Sequence, residues 1–253
     1  MMDTESRDFV QSLARGLQVI RAFDADHPSL TLTEVAERAG IPRAAARRFL
    51  HTLETLGYVR ARARDFSLTP RVLELGFSYL SALSLPEIVQ PHLERLSHRV
   101  DESVSAAVLD GDHIVYVARV PTRRIMSVGI TIGTRFPAHA TSMGRVLLAS
   151  LAVGERVPSG PLISPATGER IDEGALEASV AQAALDGYAI VDGELEPGVR
   201  SVAAPVRGRD GRVVAAVNVS TAKTRVPLDA LRERILPALR EATHTIDAEL
   251  RHV

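Results

Sequence analysis

The chain has 253 residues with a net charge of −1, and its 45% hydrophobic and 24% charged content excludes a disordered, collagen-like or low-complexity protein while leaving room for one large or two unequal domains. Cysteine is absent, which excludes disulfide scaffolds, zinc–thiolate and iron–sulfur centres and thiol nucleophiles, and the eight histidines show no H-E-x-x-H or comparable spacing, so neither metal nor cofactor is expected. The Met1 to Ser12 segment carries Asp3, Glu5, Arg7 and Asp8 around no apolar core, and no uncharged apolar run reaches about 18 residues, so a soluble cytoplasmic protein without signal peptide or membrane span is expected.

Phe9, Leu13, Leu17, Ile20 and Phe23 recur at helical spacing and predict an amphipathic first helix from Phe9 to Phe23, with Pro28 beyond its end. Thr31, Leu32, Thr33 and Glu34 fit a capping box, Val35, Ala36 and Ala39 form a short apolar stripe, and Gly40 suits a left-handed helix end. Pro42 suits the first turn of the next helix, which runs through Ala44, Ala45, Phe49, Leu50, Leu53 and Leu56 to Gly57. Two short helices joined by a tight glycine-containing turn read as a helix-turn-helix. Phe49, Leu50, Leu53 and Leu56 are expected to face the core, and Arg43, Arg47, Arg48 and His51 to occupy the outer N-terminal part that enters a major groove. Ala44 to Ala46 would let the helix approach the bases, and Thr31 and Thr33 lie at the start of the preceding helix, on the same expected DNA surface.

Tyr58 to Leu68 alternates at period two, predicting a hairpin wing with Arg60, Arg62 and Arg64 on one face. From Arg38 to Arg64 there are seven arginines against one acid, Glu54, so this stretch carries +6 and the remainder of the chain −7. A compact basic patch on an otherwise acidic chain is the footprint of a protein that binds double-stranded operator DNA. The bland alternative is an Arg-rich helical hairpin in a chain whose basic residues are 29 Arg and one Lys, Lys223.

Thr69 and Pro70 offer a cap and a first-turn proline for a connecting helix, whose Val72, Leu73, Leu75, Phe77, Tyr79, Leu80 and Leu83 form a broad apolar pattern suited to packing against a second protomer. A further helix starts at Pro86 and passes through Ile88, Val89, Leu93 and Leu96, with a kink or early break expected at Pro91. Strands are expected at Ser103 to Leu109, His113 to Val120, Ile125 to Ile132, Tyr188 to Asp192, Val199 to Val206 and Val213 to Ser220. Helices are expected from Ser142 to Leu151, from about Glu173 to Leu185, and from about Leu228 onward, with a loop across Ala152 to Ile171. The fold class is therefore α+β: a winged helix-turn-helix at 9–69, a connecting helix at 70–85 and a sensor-like domain at 86–253.

Four segments carry a family resemblance: Ser12 to Leu17, the Thr31 to Val59 helix-turn-helix, Leu68 to Gly76, and Glu194 to Pro205. Together they resemble the isocitrate-lyase-regulator (IclR) family of bacterial transcription factors over nearly the whole chain. More narrowly, Val117 to Arg124 and Gly133 to Arg145 resemble the branch that controls aromatic-acid catabolism through the β-ketoadipate pathway. The resemblance implies a GAF-like second domain that binds a small organic or aromatic acid effector. It also implies a homodimer or a dimer of dimers, and an effector pocket lined by Gly129, Ala140, Thr141, Ser142, Met143, Asp192, Ser201, Asn218 and Ser220.

The residues themselves support such a pocket in part. Asn218 and Ser220 are two apart and share a strand face, and Thr141 and Ser142 lie where a helix begins, a position that favours anions. Arg135 and Arg145 are candidate counter-charges for a carboxylate, and Met126, Phe136 and Met143 are candidate walls for a ring. Two readings compete with a ligand-responsive regulator: a constitutive DNA-binding regulator, and a serine hydrolase using Ser142 with His139 and Asp192. The hydrolase reading is weakened because Ala140 stands where a nucleophile elbow needs its first glycine, and an enzyme is not expected.

Overall fold

The computed structural model describes residues 9–75, 85–122, 130–158 and 160–251. The chain divides into two compact units, residues 1–82 and 83–253.

In the first unit, α1 (Gln11–Arg21), α2 (Leu32–Arg38) and α3 (Arg43–Thr55) surround a core that includes Val19, Leu30, Val35, Ala46 and Leu50. α2 begins on the expected capping box, with Thr31 and Glu34 each bonded to the other's backbone N–H. Gly40 takes a φ of 64° in the turn to α3. A three-stranded antiparallel sheet completes the unit, in the order β1 (Ser29–Thr31), β3 (Asp65–Leu68), β2 (Val59–Arg62). β1 was not among the expected strands, because three residues are too few to show a period.

Several expectations for this unit change. Leu13, Leu17 and Leu56 are 64%, 50% and 50% exposed, and Val19 rather than Leu17 is the fully buried residue of α1. Ala46 is fully buried, so it packs the core and offers no approach to bases. Arg64 lies with Ala63 in the hairpin turn, where Ala63 has a φ of 54°, so it does not share the strand face of Arg60 and Arg62. The connector starts as expected, Thr69 capping a 3₁₀ turn at Pro70–Val72 that is followed by helical residues 73–75. Leu73 and Leu75 are exposed, and the rest of the expected connecting helix lies outside the described residues.

The second unit is built on a six-stranded antiparallel sheet in the order β6-β5-β4-β9-β8-β7. These strands are β4 (Ser103–Asp110), β5 (His113–Val120), β6 (Arg135–Pro137), β7 (Ala189–Asp192), β8 (Val199–Arg207) and β9 (Val213–Ala222). Helix α4 (Leu85–Val100) and the C-terminal helix α7 (Leu236–Leu250) contact each other and the sheet, while α5 (Ser142–Ala149) and α6 (Glu173–Asp186) form a second helical pair whose α5 also contacts the sheet. Strand alternation separates the two sheet faces. Ala107, Tyr116, Ala203 and Ala216 pack with Met143, Val146 and Leu176, so α5 and α6 cover the face that carries these side chains.

Two expectations are corrected here. Pro91 does not break α4, which runs without interruption; Pro91 is exposed, so the Glu87 carbonyl it cannot pair with can be met by water. No strand covers Ile130 to Gly133, which form a loop and turn with Ile132 59% exposed; residues 125–129 of the strand expected at Ile125 to Ile132 lie outside the described residues. The sheet is instead extended by Arg135–Pro137, a three-residue edge strand, where a proline is tolerated. The C-terminal helix starts at Leu228, as expected, and contains a π turn at Leu231–Ile235, separated by Leu236 from Pro237, which has no N–H to donate to Glu233.

Candidate functional site

Two surfaces gather the residues singled out by the sequence. The first belongs to α3 and the hairpin. Leu50 and Leu53 turn into the core, which leaves Arg43, Ala44, Arg47, Arg48 and His51 exposed on the other side. Arg43, Arg47 and His51 stand four residues apart and so form one stripe along the helix. Arg60 and Arg62 are exposed on β2, opposite Ser67 and Asp65. Among the described residues, none of Arg43, Arg47, Arg48, Arg60, Arg62 and Arg64 has an ion pair or hydrogen-bond partner.

Other members of this region have structural work. Arg38 donates to the Ala22 carbonyl at 2.7 Å and pairs with Asp24, tying α2 to the end of α1. The Thr31 hydroxyl donates to Glu34 at 2.8 Å and accepts the Glu34 N–H, so it is committed to the cap, whereas Thr33 is exposed. Arg71 donates to the Leu56 carbonyl at 2.9 Å and lies over the Tyr58 ring, fastening the end of α3 to the connector.

The second surface is a pocket on the α5 side of the large sheet. Its lining includes Ser103, Ser105, Tyr116, Arg119, Ala140, Thr141, Ser201, Asn218 and Ser220. The strand register explains this grouping. Ser103 pairs with Ser220 and Ser220 with Ser201, while Arg119 pairs with Ser105 and Ser105 with Asn218, giving two polar rows across neighbouring strands. Glu194, Leu195 and Glu196 close one side, from the turn between β7 and β8.

The wall nearest α5 is tightly specified. Thr141 caps the helix by accepting the Gly144 N–H at 3.0 Å, and Ser142, fully buried, donates to Ser201 at 2.9 Å. The Asn218 amide donates to Ser220 at 3.0 Å, but its Oδ1 is buried with no partner among the described residues. Burial pushes the Tyr116 phenol up to about 12 and lowers the pKa of the Arg119 guanidinium.

Of the expected pocket residues, Ala140, Thr141, Ser201, Asn218 and Ser220 come together, with Ser142 directly behind Ser201. Others do not. Met143 is fully buried in the core between α5, α6 and the sheet. Asp192 pairs with Arg200 and Lys223 outside the lining. Arg135 is bound to Asp110 at the sheet edge. Arg145 is buried and donates to the His139 carbonyl and to Ser179 at 3.2 and 3.1 Å while pairing with Glu194, so it holds the pocket wall from behind. Phe136 packs edge-on against Tyr116 with ring centroids 5.9 Å apart, and Gly129 and Met126 lie outside the described residues.

The imagined hydrolase group is not assembled. Ser142 is bonded to Ser201, His139 Nε2 lies 3.0 Å from the Ile163 carbonyl, and Asp192 is held by two cations. Sequence reasoning missed Ser103, Ser105 and Arg119, because nothing in β4 or β5 alone says which face meets α5.

Residues 12–63 match the IclR helix-turn-helix domain, and residues 77–248 match the bacterial transcriptional regulator IclR C-terminal domain. A Pca regulon regulatory protein of Pseudomonas putida is 42% identical over 251 residues, covering 98% of this chain and 86% of that protein. The p-hydroxybenzoate hydroxylase transcriptional activator of Acinetobacter baylyi is 35% identical, covering 96% of this chain and 93% of its own length. The crystal structure of an IclR homolog complexed with 4-hydroxybenzoate, from Microbacterium hydrocarbonoxydans, is 29% identical with a TM-score of 0.85, covering 96% of this chain and 100% of that one.

Proposed function

We propose, from the premise that this chain belongs to the IclR family of bacterial transcriptional regulators, that it controls genes of aromatic-acid catabolism by binding operator DNA in a manner set by a small aromatic acid. The exposed arginines of α3 and β2, uncommitted on a helix whose opposite side is anchored in the core, are the observation that carries the DNA reading. In it, Arg43, Arg47, Arg48 and His51 enter the major groove, and Arg60, Arg62 and Arg64 meet phosphates or the minor groove. Thr33 and Ala44 flank the same surface, with Thr31 contributing through the cap it forms.

The similarity to regulators of hydroxybenzoate and Pca genes, and to a structure holding 4-hydroxybenzoate, supports an aromatic acid as the occupant of the pocket. The effector acts by binding one arrangement of a homodimer, or of a dimer of dimers, more tightly than another. Half-sites would then lie about one helical turn or a multiple apart. The work is that of a cytoplasmic regulator rather than an enzyme.

Fluorescence anisotropy on the adjacent promoter tests this. Arg47→Ala should erase preference for the operator over random duplex, while Arg62→Ala should weaken binding to all duplexes and flatten its salt dependence. Operator affinity unchanged in both variants defeats the DNA assignment. Affinity indifferent to protocatechuate, 4-hydroxybenzoate, muconate and β-ketoadipate alike would favour a constitutive regulator.

A further inference from the structure

The turn that closes one side of the pocket joins β7 to β8 and supplies Gly193, Glu194, Leu195 and Glu196 to the lining. It begins and ends on glycines, Gly193 and Gly198, with φ of 77° and 82°, so no side chain stiffens either end. Its inner flank is fastened through Glu194, which pairs with the buried Arg145 and whose carbonyl accepts the Ser164 hydroxyl at 3.0 Å and the Ala166 N–H at 3.2 Å. Its outer flank is fastened by Lys223, just beyond the end of β9. The Lys223 N–H donates to the Gly198 carbonyl at 2.8 Å, and its Nζ lies 2.5 Å from Asp192 Oδ1, so the same residue meets both ends of the turn.

The side chain at this position is particular. Among 30 basic residues, Lys223 is the single lysine. A Cβ on Gly193 would lie 2.9 Å from its Nζ and 3.4 Å from its Cε, so the ammonium fills the notch that the glycine leaves. Asp192 divides its carboxylate: Oδ2 accepts from Arg200 Nε and Nη2 at 3.1 and 2.7 Å, and Oδ1 meets Lys223. A compact ammonium suits that notch, whereas a guanidinium is planar and broader. Lys223 is not among the lining residues, so it acts on an occupant only through the turn.

We infer that Lys223 is a positioning residue for the effector pocket, its ammonium clamping Asp192 in the notch of Gly193 so that the β7–β8 turn stays closed on the ligand. The inference rests on the reading of this pocket as the effector site. Asp192, which the family resemblance implies as a pocket residue, then works through the clamp rather than on the ligand. A partly exposed ion pair adds little to global stability, but across a turn with a glycine at each end it sets how often that turn opens.

Ligand-observed NMR exchange on the full chain, with 4-hydroxybenzoate as the probe, measures the dissociation rate. Lys223→Met, which keeps the stem and removes the charge, should speed dissociation roughly threefold to fivefold. Association should stay within about twofold of wild type, since the encounter surface is unchanged. Lys223→Arg should fall between the two. Asp192→Asn should speed dissociation at least as much, and adding Lys223→Met to it should change nothing further. Without ligand, hydrogen exchange in Lys223→Met should quicken at the Gly193 and Val199 amides of the turn while Val202 and Val219, paired in the middle of β8 and β9, exchange as in wild type.

Wild-type dissociation in Lys223→Met, fully additive effects of the two substitutions, or exchange that quickens equally at Val202 and Val219 overturns the inference and leaves the effector reading standing. Failure of wild type to bind 4-hydroxybenzoate, protocatechuate, muconate or β-ketoadipate overturns both. Asp192→Asn alone decides the matter where a Lys223 variant does not fold, because wild-type dissociation in that variant also excludes the clamp.

Discussion

Gly144 is needed because a Cβ there would run into the backbone of Ala138, including the carbonyl oxygen that Thr141 bonds to. Backbone cannot step aside as a side chain can, so Gly144→Ala should destabilise the chain by about 3 kcal/mol, and urea unfolding monitored by circular dichroism measures it. A variant within about 0.5 kcal/mol of wild type would mean that α5 can lift off the pocket wall. The residue type was visible in the sequence, but the reason was not, since the clash is with a residue in the preceding turn. Arg145 teaches the same lesson: as a letter it is a plausible counter-charge, and only its three partners reveal a brace.

The elements whose signals are local were the legible ones. The Thr31–Glu34 cap and the left-handed glycine at 40 are both determined within a few residues. The cap also makes a pH prediction. Hydrogen bonds from the Thr31 backbone and hydroxyl hold the Glu34 carboxyl below its ordinary value of 4.5. Its contribution is therefore complete above that value and is lost as pH falls through the lower folded one. The stability difference between wild type and Glu34→Gln should stay constant from about pH 7 to pH 5 and shrink toward about pH 3. A difference that grew on acidification would contradict the cap. The β5 bulge and the edge strand Arg135–Pro137 were illegible, because one depends on pairing with β4 and the other is too short to show a period.

For the molecule as a whole, the pocket lies entirely within the unit at 83–253 and the arginine surface entirely within the unit at 1–82. An effector at about one hundred times its Kd stabilises the unit that binds it by about 2.7 kcal/mol. Hydrogen exchange should therefore slow in β4, β8 and β9, whereas α1 to α3 should exchange as before if the effector changes the arrangement of intact units. Faster exchange in α3 would instead show that the signal travels by loosening the helix-turn-helix.

The sequence by itself determined the α+β class, the helix-turn-helix, its concentration of positive charge and the family, because caps, periodicity and charge are written in contiguous residues. Only the tertiary structure decided which polar side chains share a pocket. Ser142 meets Ser201 across 59 residues of chain, and Arg119 shares a face with Tyr116 through a bulge defined by another strand. Such long-range placements depend on register, and a slip of one residue turns a side chain from the pocket to the opposite face.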